Sequence, residues 1–129
     1  MATFSKQERL CSQKRIDQLF AEGNRMMVHP FSVHWQLCDS DALPQPAQVL
    51  ITTSKRKFRH AVDRNRVKRL TRECYRAHKT DLYDTLLSHH RGLLLSINYI
   101  HHELPCYASL NARMAKLIAQ LRQQIDHTT

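Results

Sequence analysis

Eleven lysines and arginines lie between Lys55 and Lys79 against only Asp63 and Glu73, so this one segment accounts for the whole net charge of +9. Elsewhere in the 129 residues nine basic side chains face nine acidic ones. A charged face kept only for solubility mixes its signs, so basicity this local points to an anionic partner. Phosphate suits the residue types. Guanidinium groups offer planar, paired donors that never lose their charge, and lysine adds point charges. Asn65 interrupts the run with an amide that both donates and accepts, which fits sugar hydroxyls or base edges.

Other constellations carry less. Of nine histidines, the adjacent pairs His89-His90 and His101-His102 point apart on any regular backbone. His102-Glu103-Leu104-Pro105-Cys106 begins like a zinc-protease helix, but Cys106 stands where the second histidine is needed and Pro105 breaks the helix. Glycine occurs only at 23 and 92, too sparse for a phosphate loop, and no Ser, Cys or carboxylate falls in a catalytic arrangement. The sequence therefore predicts neither a catalytic residue nor a metal site in the protein. Cys11, Cys38, Cys74 and Cys106 are far apart and read as reduced thiols of a cytoplasmic protein, most of them filling core. No signal peptide or membrane span is expected, since even the run Leu93 to Leu95 stops at Ser96.

Positioning these cations falls to a chain whose 42% hydrophobic and 24% charged residues are ordinary for a globular protein. A single domain over residues 1–129 is expected. Ile16, Leu19 and Phe20 follow helical spacing from Ser12 to Glu22, with Gly23 as the terminating glycine. Val28 to Cys38 alternates, Phe31, Val33, Trp35 and Leu37 on one face and Ser32, His34 and Gln36 on the other. Gln48 to Ser54 reads as a second strand, most simply paired with the first as an antiparallel hairpin across the polar loop from Asp39 to Pro46.

From Ala61 to about Lys79 the period turns helical. Projected at about 100° per residue, Val67, Leu70, Cys74 and Ala77 share one arc. Arg64, Asn65, Lys68, Arg69, Arg72, Arg76 and Lys79 cluster opposite, with Arg66 near the apolar edge. Glu73, three and four residues from Arg76 and Arg69, is placed to brace both. Thr80 to His90 extends this helix or forms a further turn. Gly92 to His101 is a strand, and a last helix follows Pro105 with Leu110, Met114, Leu117, Ile118, Leu121 and Ile125 inward. The order α-β-β-α-β-α predicts an α+β sandwich, a small sheet packed by helices, with the basic helix after the second strand.

Ser54-Lys55-Arg56 followed by Ala61-Val62-Asp63-Arg64-Asn65-Arg66-Val67-Lys68-Arg69-Leu70-Thr71-Arg72-Glu73 resembles the signature of the bacterial ribonuclease P protein family. The likeness runs from about Phe4 to Ile125 and includes the start Lys6 to Leu10 and the helix end Leu19 to Gly23. It implies a sandwich with a left-handed connection through the basic helix. It also implies a partner, the catalytic ribonuclease P RNA, which holds most of the magnesium, and a substrate, precursor tRNA, whose 5′ leader is removed. RNA-binding roles carry over to Lys55, Arg56, Arg64, Asn65, Arg66, Lys68, Arg69, Arg72 and Arg76, and a leader cleft to Ile16, Phe20 and His34. Ile16 and His34 stand where the family often has aromatics, and the turn Lys57 to His60 is one residue longer than usual and lacks the family's glycine. Core packing and base stacking are both open readings for Phe20. Two other classes share the charge: a structural RNA binder of ribosomal type and a helix-turn-helix DNA reader, the latter needing a helix before the basic one.

Overall fold

A computed structural model of the protein describes residues 5–128. Met1 to Phe4, where the stretch resembling the family begins, and Thr129 lie outside them. The elements are α1 (Gln13–Glu22), β1 (Asn24–Val28), β2 (Phe31–Asp39), β3 (Ala47–Thr53), α2 (Ala61–Ser88), β4 (Arg91–Tyr99) and α3 (Tyr107–Thr128). Short 3-10 turns occupy Lys6–Glu8 and Ser40–Ala42. The class is α+β as expected, with one strand more than the sequence suggested. Among the described residues no helix is long and apolar enough to cross a membrane.

The strands lie in the order β1-β2-β4-β3, with β4 antiparallel to β2 and parallel to β3. The expected hairpin between the second and third strands is therefore absent, because β4 sits between them. Leu93, Leu94 and Leu95 are all buried, so β4 needs cover on both faces, which an interior strand obtains and an edge strand does not. The 28-residue α2 supplies the long crossover that a parallel β3–β4 pair requires. The extra strand comes from the stretch before Phe31, where β1 folds back on β2 with Val28 opposite Phe31 across a turn at His29-Pro30. Its first two residues, Asn24 and Arg25, are polar and exposed, which hid it from a search for apolar alternation.

The alternation in β2 holds. Phe31, Val33 and Trp35 join Val49, Leu95 and Ile97 in the main core, closed by Val67, Cys74, Tyr75, Leu82 and Leu86 of α2 and by the expected inward residues of α3. Each such side chain, fully buried, stabilises by about 1.5–3 kcal/mol. The opposite sheet face holds a smaller cluster of Leu10, Leu19, Leu43 and Leu94 with Ile16, Cys38 and Leu50 at its margin. Of the cysteines, Cys74 is buried and Cys38 partly so, while Cys11 and Cys106 are exposed, so core filling applies to only two.

Gly23 does end α1, but with φ of −73° it needs no left-handed freedom. A Cβ there would lie 2.3 Å from the Leu19 carbonyl oxygen and 3.2 Å from that of Trp35, so glycine lets the helix end approach β2. The turn before α2 also dispenses with special backbone, since His90 is the one non-glycine residue of positive φ among those described. Ser54 closes that turn instead: its carbonyl accepts the N–H groups of Lys57 and Phe58, both at 3.2 Å, and its hydroxyl accepts that of Arg56 at 3.0 Å. Phe58, the aromatic inside the longer turn, is buried against Tyr99 with ring centres 6.0 Å apart.

Candidate nucleic-acid interface

Thr80 to Ser88 continues the basic helix without a break, so α2 is one rod of about 42 Å. Val67 and Cys74 point inward as the projection required, and Leu70 packs at the core margin. Ala77, placed on the apolar arc by the same projection, is exposed, while its neighbour His78 meets Asn111 of α3 at 2.9 Å. Asn65, Arg66, Arg69 and Arg76 are exposed, and Lys68 and Arg72 partly so. None of these six side chains makes a hydrogen bond or ion pair with a described residue. Lys55 and Arg56 stand exposed at the end of β3, beside the start of the helix.

Four expectations fail at the margins of this face. Arg64 does not simply project outward: its guanidinium donates to the carbonyls of Phe58 at 2.8 Å and Arg59 at 3.0 Å, bracing the turn that leads into α2. Arg66, which the projection set near the apolar edge and so partly inward, is exposed instead. Lys79 leaves the cationic face altogether, being 6% exposed and ion-paired to Glu8, itself 4% exposed. Glu73 makes no ion pair with Arg69 or Arg76, since its carboxylate lies beyond bridging distance of both among the described contacts.

On the other sheet face, Phe20 is 49% exposed and meets His34 edge to face, ring centres 4.7 Å apart. Its surface position removes the core reading. Ile16, one turn earlier on α1, is half-buried against the smaller apolar cluster. Burial, then the positive Arg25, hold the His34 imidazole below its ordinary pKa, which favours the neutral ring. The strand register places Ser32, Asn98 and Thr52 in one row on this face, with the Thr52 hydroxyl donating to Asn98 Oδ1 at 3.1 Å. Sequence alternation could have flagged that partly exposed polar row.

A family model described as ribonuclease P matches residues 4–104. The chain belongs to the ribonuclease P protein family. It is 35% identical over 122 residues to the ribonuclease P protein component of Porphyromonas gingivalis, covering 93% of this chain and 88% of the relative. The corresponding protein of Chlorobium phaeobacteroides is 33% identical over 127 residues, covering 91% and 86%. Among solved structures, the RNase P protein from Thermotoga maritima shares the fold with a TM-score of 0.66 at 18% identity, covering 88% of this chain and 96% of that one. The Staphylococcus aureus RNase P protein does so with a TM-score of 0.62 at 18% identity, covering 90% and 95%.

As a ribonuclease P protein the chain is a component of that ribonucleoprotein, which sets aside the ribosomal alternative. The helix-turn-helix alternative fails on the fold as well, because β3 and a turn precede α2 where that motif needs a helix.

Proposed function

We propose that this subunit acts in the cytoplasm as a single-domain RNA-binding partner of a catalytic RNA, and that together they cut the 5′ leader from precursor tRNA. The observation that carries this reading is the α2 face from Asn65 to Arg76. Five cations and one amide stand along it on a rigid rod, without protein partners, next to Lys55 and Arg56. Unpartnered arginines held on one helix cost repulsion that a row of phosphates relieves. Arg64 joins the set by shaping the turn from which the helix starts. Catalysis is assigned to the RNA, as is most of the magnesium, which supplies charge stabilisation at the scissile phosphate when bound. Among the described residues no group of three or more His, Cys, Asp or Glu side chains could hold a metal ion. What the protein adds is electrostatic: it screens one polyanion from another and holds the leader against Phe20 and His34, with Ile16 one turn earlier on α1.

The test is reconstitution. The purified chain, mixed with a bacterial ribonuclease P RNA at low magnesium, should stimulate correct 5′ maturation of precursor tRNA, and the chain alone should cleave nothing. Correct processing by RNA-free protein, or no stimulation of the RNA, would overturn the assignment. If about six phosphates are neutralised, assembly should weaken with salt at a log–log slope of about −4.

A further inference from the structure

We propose that the segment following the first 3-10 turn and α2 together form a separate phosphate-binding cleft, in which Arg9 joins Arg69, Arg72 and Arg76 around one phosphodiester of RNA, held there by a buried Glu8–Lys79–Tyr83 cluster. The inference rests on the reading of α2 as the RNA-facing helix and adds to it a contact from outside that helix, Arg9. The cleft measures about 230 Å³ and is lined by Arg9, Arg69, Arg72, Glu73 and Arg76.

The position of Arg9 is fixed on both sides. Before it, the Glu8 carboxylate accepts the Ser5 N–H at 3.0 Å, the Ser5 hydroxyl at 3.2 Å, the Lys79 ammonium and the Tyr83 hydroxyl. After it, the Leu10 N–H donates to the Val49 carbonyl at 2.9 Å while the Leu10 side chain is buried in the smaller cluster. Arg9 itself bridges to Val49 along the free edge of β3. The backbone thus crosses the sheet edge between two anchors, and its one intervening side chain lines the cleft with the helix arginines.

The charge balance identifies the occupant. Arg69, Arg72 and Arg76 share the cleft with one carboxylate, Glu73, which pairs with none of them, and Arg9 lines it from the other side. Cations gathered this closely repel unless an anion sits among them. A phosphodiester carries one negative charge and two free oxygens suited to paired guanidinium donors. Lys79, by neutralising Glu8 in the interior, serves this site from a distance, as does Tyr83. Glu8, Lys79 and Tyr83 are positioning residues here and touch no RNA.

The phosphodiester can come from the ribonuclease P RNA or from the substrate, and two measurements separate these sources: affinity for a bacterial ribonuclease P RNA, and affinity of the assembled holoenzyme for precursor tRNA. In one of them Arg9→Ala should weaken binding about tenfold and reduce the salt slope by about 0.7. Arg9→Ala and Arg72→Ala together should cost less than the product of the two single losses, because they share one ligand. Glu8→Gln should weaken the same complex in the wild-type background and add almost nothing once Arg9 is alanine. Tyr83→Phe, which removes one hydrogen bond to Glu8 and keeps the packing, should show the same dependence on Arg9 with a smaller effect. Wild-type affinity of Arg9→Ala in both measurements, with Arg72→Ala still weakened, would remove the cleft and leave the α2 reading intact. No effect of either arginine would remove that reading itself. Equal losses from Glu8→Gln with and without Arg9 would overturn the positioning role.

Discussion

From Arg66 to Arg76 the cations of α2 are exposed or partly exposed and make no ion pair with a described residue, whereas Lys79, three residues beyond Arg76, is buried in an ion pair with Glu8. In sequence they form one basic run. What divides them is the chain lying over the helix: the first half of α2 has one open face, while its second half is covered by the Lys6–Glu8 turn on one flank and by α3 on another, where Arg122 Nε donates to the Thr85 hydroxyl at 2.9 Å. A cation at the surface stays available for RNA, and the same group under a few ångströms of protein becomes a structural charge. Arg64, tied to two carbonyls at the other end of the run, marks the opposite limit of the open face.

The strongest way to break this contrast is Lys79→Ala. It leaves the Glu8 carboxylate buried without its counter-charge, and chemical denaturation should register a loss of about 3–5 kcal/mol. A loss under about 1 kcal/mol would return Lys79 to the RNA-facing set. Acid probes the same cluster. Burial alone would raise the Glu8 pKa, but hydrogen bonds from Lys79, the Ser5 backbone and Tyr83 outweigh it and hold the carboxyl below its ordinary value. A depressed folded-state pKa contributes stability above the unfolded value and loses it as pH falls through the folded one. Wild-type protein should therefore lose stability below the usual carboxylate range, and Glu8→Gln should flatten that part of the profile.

Arg66→Ala tests the open half. It should weaken assembly with ribonuclease P RNA by about 1.5–3 kcal/mol and leave folding within about 0.5 kcal/mol, measured by filter binding and melting of the same sample. Arg64→Ala should reverse the emphasis, with a folding loss of about 1.5 kcal/mol as the turn loses its brace. The smallest effect is expected at Phe20→Leu, which should cost about 1 kcal/mol of holoenzyme affinity for precursor tRNA and nothing for mature tRNA. With Phe20 half exposed, its melting temperature should stay at the wild-type value, and equal losses for the two tRNAs would take Phe20 out of the leader site.

Periodicity made some of this legible and topology did not. Leu110 through Ile125 could be placed inward because helical spacing reports which side of a rod is apolar, and α3 has one such side. The same reasoning failed for Ala77 and Lys79, because a helix packed on two flanks has no single apolar arc. The strand pairing failed for another reason: nothing in Asp39 to Pro46 distinguishes a hairpin loop from the approach to a crossover. The signal that β4 lies inside the sheet was present in Leu93-Leu94-Leu95, a run apolar on both faces. At the candidate site the arginine register was visible, but Arg9 was not, since its place beside α2 depends on Glu8 meeting a lysine 71 residues away.

The interior position of β4 also orders events during synthesis. Until Arg91 to Tyr99 have been made, β2 and β3 have no common neighbour, and the hairpin of β1 with β2 is the only part of the sheet that can pair. Distant pairings of this kind form late, after a large loop has been closed. A nascent chain halted before Arg91 would carry the complete stretch of arginines before the strand that joins β2 to β3 exists, so the charge of α2 is made before the sheet it packs on is whole.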